Sequence, residues 1–245
     1  MITVRGLTKR FGDTTVLEDI DLDIRPGERL VVIGPSGTGK STLLRCLNFL
    51  DRPDAGRITI GDLTVDAATA RPAEILALRR RTAFVFQSYA LFANRTALGN
   101  ITEGLIHVQG RPKAEAVARA RAILAEIGLA ERADAYPAAL SGGQQQRVGI
   151  GRAMALDAAL MLFDEPTSAL DPEWVGEVLD LLRRVARQER TMLIVTHEMQ
   201  FAREIADRVI YMEGGRIVEA APPEAFFSRP RDPRTRRFLT RVNAG

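Results

Sequence analysis

Four short stretches of the chain are apolar without interruption: Leu30–Ile33, Ala83–Phe86, Leu160–Phe163 and Met192–Val195. Runs of this length with no polar face predict strands covered on both sides, as in the middle of a parallel sheet. Between them lie amphipathic patterns of helical period, chiefly Lys40–Leu50, Lys113–Ile127, Gly142–Leu156, Pro172–Gln188 and Glu198–Asp207. Strands alternating with helices predict an α/β sheet. A different pattern opens the chain: Ile20, Leu22 and Ile24 alternate with Asp19, Asp21 and Asp23. That alternation predicts a strand with one wet face, and with Ile2–Val4, Thr15–Leu17 and Arg57–Ile60 it predicts a small antiparallel layer. Residues 88–154 contain no buried-strand pattern and read as an inserted helical subdomain. Gly214-Gly215 predicts a hairpin between Val209–Met212 and Arg216–Val218, and short helices are expected around Pro230 and Pro233. The expected organisation is one domain, 1–245, with an α/β core and β layer (1–87 and 155–220), the helical subdomain (88–154) and a helical tail (221–245). Gly149 and Gly151 fall inside a predicted helix, where each costs up to about 1 kcal/mol, so that helix is expected to be loosely held.

The 245 residues suffice to bury a sizeable core, and 46% apolar with 27% charged residues is an ordinary globular balance. The longest apolar run, Ala158–Phe163, is far short of the roughly 20 residues that cross a bilayer. The start, MITVRGLTKRF, has no apolar h-region. A cytosolic chain is expected. Cys46 is the only cysteine, which excludes an intrachain disulfide and suits a core position. The formal charge of +3 comes from interspersed acids and bases without a basic, aromatic-lined stripe, so no nucleic-acid partner is expected. Only Lys9, Lys40 and Lys113 are lysines.

That scarcity sharpens one motif. Gly34-Pro35-Ser36-Gly37-Thr38-Gly39-Lys40-Ser41-Thr42 is a complete phosphate-binding loop between a predicted strand and a helix, and about 0.002 chance matches are expected at this composition. Its glycines let backbone N–H groups and the helix N-terminus face phosphates. Lys40 is expected on the β- and γ-phosphates and the Ser41 hydroxyl on Mg²⁺. A second apolar strand ends in Asp164 and Glu165, one carboxylate suited to hold Mg²⁺ and the other to polarise a water. Two more polar residues follow apolar strands, Gln87 and His197. In parallel sheets ligands bind beyond the carboxyl ends of the strands. Gly34, Gln87, Asp164 and His197 are therefore expected on one edge, with His197 donating to a γ-phosphate and Gln87 touching Mg²⁺ or the water. His107 reads as a surface or satisfied core residue. Leu140–Arg147, LSGGQQQR, starts a predicted helix. Ser141 there is either an N-cap followed by solvated glutamines, or, with the N–H groups of Gly142 and Gly143, a second anion site.

The order of these segments, ending in Ser168-Ala169-Leu170-Asp171 and His197, resembles the whole motif series of ATP-binding-cassette (ABC) ATPases across essentially the entire chain. The resemblance implies an α/β P-loop NTPase fold, RecA-like, with an antiparallel β layer and an inserted α-helical signature subdomain. It implies ATP hydrolysis with Glu165, His197, Gln87 and Lys40 as catalytic residues, and ATP held by Gly34 through Thr42. Phe11 would stack on adenine beside Val16, and Ser41, Gln87 and Asp164 would surround Mg²⁺. Ser141, Gly142, Gly143 and Gln144, with Asp171 of the segment between the two sites, would act across a homodimer, covering the partner's ATP. Ser141 is then expected away from its own Lys40. Segments such as Leu43–Asn48, Pro53–Ile58, Thr196–Met199, Gly214–Glu219 and Pro222–Glu224, with Arg236, Phe238 and Leu239, look closest to the ATPases of polar amino-acid uptake. That branch implies a membrane permease, an extracytoplasmic solute-binding protein acting indirectly, and a peripheral place on the cytoplasmic face of the inner membrane; the alternative is another solute or an exporter. Ser88 and Ala93 stand where Gln and Pro are commoner in that branch, in a stretch that in the family faces the membrane subunit.

Overall fold

The computed structural model describes residues 1–243. In chain order its regular elements begin with β1 (Ile2–Phe11), β2 (Thr14–Ile24), β3 (Arg29–Ile33), α1 (Lys40–Leu47), β4 (Ala55–Ile60), β5 (Leu63–Asp66), α2 (Pro72–Arg79), β6 (Thr82–Val85) and α3 (Ala97–Glu103). They continue with α4 (Lys113–Glu126), α5 (Gly142–Ala155), β7 (Leu160–Asp164), α6 (Pro172–Ala186), β8 (Met192–Val195), α7 (Met199–Ile205), β9 (Arg208–Glu213), β10 (Arg216–Ala221), α8 (Pro223–Ser228) and α9 (Pro233–Asn243).

Among the described residues these strands form two sheets. The first is antiparallel, ordered β2-β1-β4-β5; the second is ordered β10-β9-β3-β8-β7-β6 and is parallel except for the β9–β10 hairpin at its edge. The four apolar runs lie side by side in the second sheet, buried throughout except at Phe84 and Phe86 of the β6 edge, which are half-buried. Val31, Ile33, Met161, Phe163 and Ile194 face a core shared with the helices, whereas Leu30, Val32, Leu160, Leu162 and Leu193 face a core shared with α1 and the first sheet. Period-two alternation thus serves two cores at once. No helix is long and apolar enough to cross a membrane among the described residues.

The structure departs from the pattern reading in four places. Thr15–Leu17 and Ile20–Ile24 belong to one strand, β2, kinked at Asp19, whose φ is 51° beside a shift in the β1–β2 register. β5 and α2 were not signalled; they are short, and in α2 only Leu78 is buried. α1 stops at Leu47 because Asn48 and Phe49 turn away, the Asn48 amide donating to Thr82 Oγ1 and Arg79 Nη2 donating to the Phe49 carbonyl at 2.8 Å. Finally, α5 is packed tightly. A Cβ on Gly151 would lie 3.0 Å from both Ile123 and Ile127, so the glycine lets α5 approach α4 closely.

Candidate functional site

The loop after β3 is shaped by two close backbone approaches. A Cβ on Gly34 would lie 2.1 Å from the Met212 carbonyl of β9, and one on Gly39, at φ 92°, would lie 2.7 Å from the Val16 carbonyl of β2. Both sheets therefore press on the loop and set its path. Gly37 faces open space. The N-terminus of α1 has no side-chain cap, so its first N–H groups remain available to an anion. Thr38 Oγ1 donates to the Pro35 carbonyl at 2.9 Å, while Ser36 stays exposed and Thr42 half-buried. Lys40, only 4% exposed, donates to the carbonyls of Gly34 and Pro35 at 2.9 and 2.7 Å. Burial pushes its pKa down, against the pull of Glu165 and Asp164.

Ser41 Oγ donates to Asp164 Oδ1 at 2.6 Å, joining the loop to the end of β7. Asp164 is 1% exposed, and burial pushes its carboxyl above the ordinary value despite the Ser41 bond. Glu165 follows at φ 44°, in the left-handed region, where a non-glycine residue is held at a cost. His197 Nε2 lies 2.9 Å from Glu165 Oε1, and that hydrogen bond holds the Glu165 carboxyl below its usual range. The meeting follows from neighbouring strands: Asp164 pairs with Val195, and Glu165 and His197 follow within two residues of that pair on adjacent strand ends. Gln87 is exposed beyond β6 and makes no hydrogen bond to these groups among the described residues.

Among the described residues, no cluster of three or more His, Cys, Asp or Glu side chains could hold a metal by itself. One carboxylate and one hydroxyl, both hard oxygen donors, fit Mg²⁺, which keeps waters and takes phosphate oxygens from its substrate.

Phe11 ends β1, half exposed, with Lys9 Nζ 4.8 Å from its ring centre. Val16 is close by, its carbonyl wedged against both Gly39 and Gly215. Asp171 is exposed at the N-cap of α6.

LSGGQQQR forms a capping box at the start of α5. Ser141 Oγ accepts from the Gln144 N–H at 3.3 Å, and Gln144 Oε1 accepts from the Ser141 N–H at 3.1 Å. The N–H groups of Gly142 and Gly143 take no part. Neither glycine could carry a Cβ unopposed: it would lie 2.7 Å from Tyr89 Oη and 2.8 Å from Trp174 Cβ, respectively. Gln146, solvated in the capping reading of the sequence, is instead fully buried and donates to the Phe86 carbonyl at 3.2 Å. Arg147 donates to the Ile127 carbonyl at 3.1 Å and pairs with Glu177 at 3.2 Å, tying α5 to α4 and α6. No hydrogen bond or ion pair joins Ser141–Gln144 to Lys40, Ser41, Asp164, Glu165 or His197 among the described residues. Tyr89 and Trp174 carry no signal of a role in the sequence beyond Trp174 being the only tryptophan, and Arg147 stands there only as the last residue of LSGGQQQR.

The family model described as ABC transporter matches residues 17–168. The "L-cystine transport system ATP-binding protein TcyN" of Escherichia coli (strain K12) is 55% identical over 97% of this chain and 96% of the relative. The "L-cystine import ATP-binding protein TcyC" of Bacillus subtilis (strain 168) is 52% identical over 99% and 98%. The "Glutamine transport ATP-binding protein GlnQ" of Geobacillus stearothermophilus is 48% identical over 99% of each. Among solved structures, the ATP-binding cassette MJ0796, in a dimeric post-hydrolysis state bound to ADP and Pi, superposes with a TM-score of 0.80 at 33% identity, covering 91% of this chain and 99% of that one.

Proposed function

The chain belongs to the ABC transporter family, and from that premise we propose that it is the ATPase subunit of an importer for a polar amino acid. The observation that carries the reading is the Ser41–Asp164 hydrogen bond, with the Glu165–His197 pair beside it. These two contacts put a metal-suited oxygen pair and an oriented carboxylate on the edge that the phosphate loop occupies.

The Lys40 ammonium lies beside its own loop's carbonyls, at the mouth of the phosphate loop. On ATP binding it turns to the β- and γ-phosphates, while N–H groups of the loop and α1 receive the remaining oxygens. Ser41, Asp164 and Gln87 would hold Mg²⁺, which would supply charge neutralisation for phosphoryl transfer. Glu165 accepts a hydrogen bond from the attacking water, whose oxygen bonds to the γ-phosphorus as the bond to the β–γ bridging oxygen breaks. His197 holds Glu165 in line through Nε2, or turns that N–H to the γ-phosphate once ATP is bound. Phe11 stacks on the adenine, with Val16 alongside.

The start of α5 acts on a second copy. The free N–H groups of Gly142 and Gly143 suit a γ-phosphate presented by the partner, with Asp171 near the same seam. The dimeric neighbour structure supports this reading. A groove of about 480 Å³ beyond Gln87, with Phe84, Phe86, Phe92, His107 and Arg152 in its wall, suits an apolar segment of a membrane permease. The subunit would then sit on the cytoplasmic face of the membrane, with a solute-binding protein on the far side. The cystine and glutamine systems to which the relatives belong favour amino-acid import over another solute or export.

The deciding experiment is Glu165→Gln. It should yield a dimer stable with ATP that separates with ADP, seen by size-exclusion chromatography. A chain that remains monomeric with ATP refutes the model.

A further inference from the structure

Between the phosphate loop and α9 lies a cleft of about 200 Å³. Tyr211 and Phe238 form its apolar floor, their ring centres 5.2 Å apart, and Pro35 of the loop is one wall. Arg234, Arg237 and Arg241 line the opposite side. Spacings of three and four residues put these guanidiniums on one face of α9.

Their partners divide them. Arg234 is neutralised by Asp232 at 3.0 Å and approaches Glu213 at 3.8 Å, while the Tyr211 hydroxyl donates to Glu213 at 3.2 Å. Arg237 and Arg241 have no carboxylate partner among the described residues. Two like charges one helical turn apart oppose each other. The planar fork of arginine matches phosphate oxygens, and a bound oxyanion would remove the repulsion.

We propose that this cleft is a second anion site, distinct from the ATP site, that binds a phosphate group through Arg237 and Arg241. The group could be free phosphate or a phospholipid headgroup; both present the same oxygens. Pro35 links the cleft to hydrolysis, because its carbonyl accepts from both Lys40 and Thr38. An occupant pressing on Pro35 acts on the carbonyl that accepts from Lys40. This last link rests on the function proposed above; the binding does not.

The test therefore reads binding. The full chain carrying Lys40→Ala, which weakens the phosphate loop, is compared with the same chain also carrying Arg237→Ala and Arg241→Ala. Inorganic phosphate is followed by equilibrium dialysis, and vesicles of phosphatidylglycerol or phosphatidylcholine by co-sedimentation. Wild-type chain saturated with ADP repeats both arms should Lys40→Ala fail to fold. Saturable phosphate binding that weakens at least tenfold without the two arginines supports a site for free phosphate. Selective sedimentation with phosphatidylglycerol, lost in the same way, supports a lipid headgroup. No saturable binding in either arm, or binding indifferent to the two arginines, overturns the proposal. A protein that proves not to hydrolyse ATP would leave these readouts intact.

Discussion

The Tyr89 hydroxyl donates to the Ala169 carbonyl at 2.8 Å, tying the segment after Gln87 to the loop that leads into α6. Tyr89 and Ala90 both have positive φ, 59° and 49°, and a strained backbone persists only where its surroundings hold it. Here Gln146 holds the Phe86 carbonyl, and Arg152 donates to the Ala90 carbonyl at 2.8 Å. Tyr89→Phe keeps the ring against Gly142 and removes one hydrogen bond, a loss of about 1 kcal/mol. Basal ATPase should stay within about twofold. On the permease docking proposed above, stimulation by the membrane permease should fall severalfold, because the segment after Gln87 loses its direct tie to the loop before α6. Comparing ATPase rates of free and permease-bound subunit checks this.

Ser41 and Asp164 contribute unequally to the same point. Asp164→Asn removes the carboxylate that accepts from Ser41, and Mg²⁺-dependent hydrolysis should drop at least about a hundredfold. Ser41→Ala, which removes a neutral donor, should cost about tenfold and raise the Mg²⁺ concentration for half-maximal rate. ATPase titrations against Mg²⁺ separate the two; equal losses would contradict the division.

His197→Ala leaves Glu165 without its 2.9 Å partner. A positioned base whose orienting group is lost should turn over roughly a hundredfold more slowly, with ATP binding nearly unchanged. The pattern to look for is a fall in kcat at constant ATP affinity. A rise in KM alone would place His197 in substrate binding instead.

Two glycines of α5 should respond in opposite directions to alanine. At Gly143 the new methyl would be forced against Trp174, an overpacking cost of about 1–3 kcal/mol that exceeds the roughly 1 kcal/mol gained in helix propensity. Tm should fall by about 2–4 °C, with a change in Trp174 fluorescence. At Gly149 the nearest neighbour is the Tyr89 carbonyl at 3.4 Å, an ordinary contact. There the propensity gain should dominate and raise Tm by about 2 °C. Thermal denaturation of both variants is the check.

The start of β3 is held to the start of β9 by Asp207, which accepts from Arg29 Nε at 2.9 Å, Nη2 at 2.6 Å and backbone N–H at 2.8 Å. The Arg29 side chain lowers the Asp207 pKa from its ordinary 3.8. A depressed carboxylate pKa adds stability at neutral pH that disappears as pH falls below the ordinary value and through the folded one. Both side chains are about a third exposed or more, so screening keeps the pair to about 1–2 kcal/mol. Asp207→Asn should therefore be less stable than wild type to urea at pH 7, and the gap should narrow below about pH 4.

The elements legible in the sequence were those whose polar and apolar pattern reports which faces are buried. Leu30–Ile33, Leu160–Phe163 and Met192–Val195 are strands because no polar residue interrupts them, and the Asp-Ile alternation marks the wet face of β2. The phosphate loop and the carboxylates after β7 were legible because their chemistry is local: one loop, and one strand end. β5 and α2 were not, being too short to show a period and nearly without buried side chains. Gln146 reads as one glutamine among three; only the fold buries it under the Phe86 carbonyl.

What the sequence determined by itself was which residues could perform chemistry and which strands would carry them, since those depend on residue type and spacing along one segment. Tertiary structure decided which of them touch. Glu165 meets His197 across 32 positions through the register of β7 and β8, and Ser41 meets Asp164 across 123 because β3 and β7 both flank β8. Gly142 and Gly143 are required by Tyr89 and Trp174, neighbours that only the packing of α5 supplies. Contacts between distant segments depend on register and close packing, and neither is written in any one stretch of the chain.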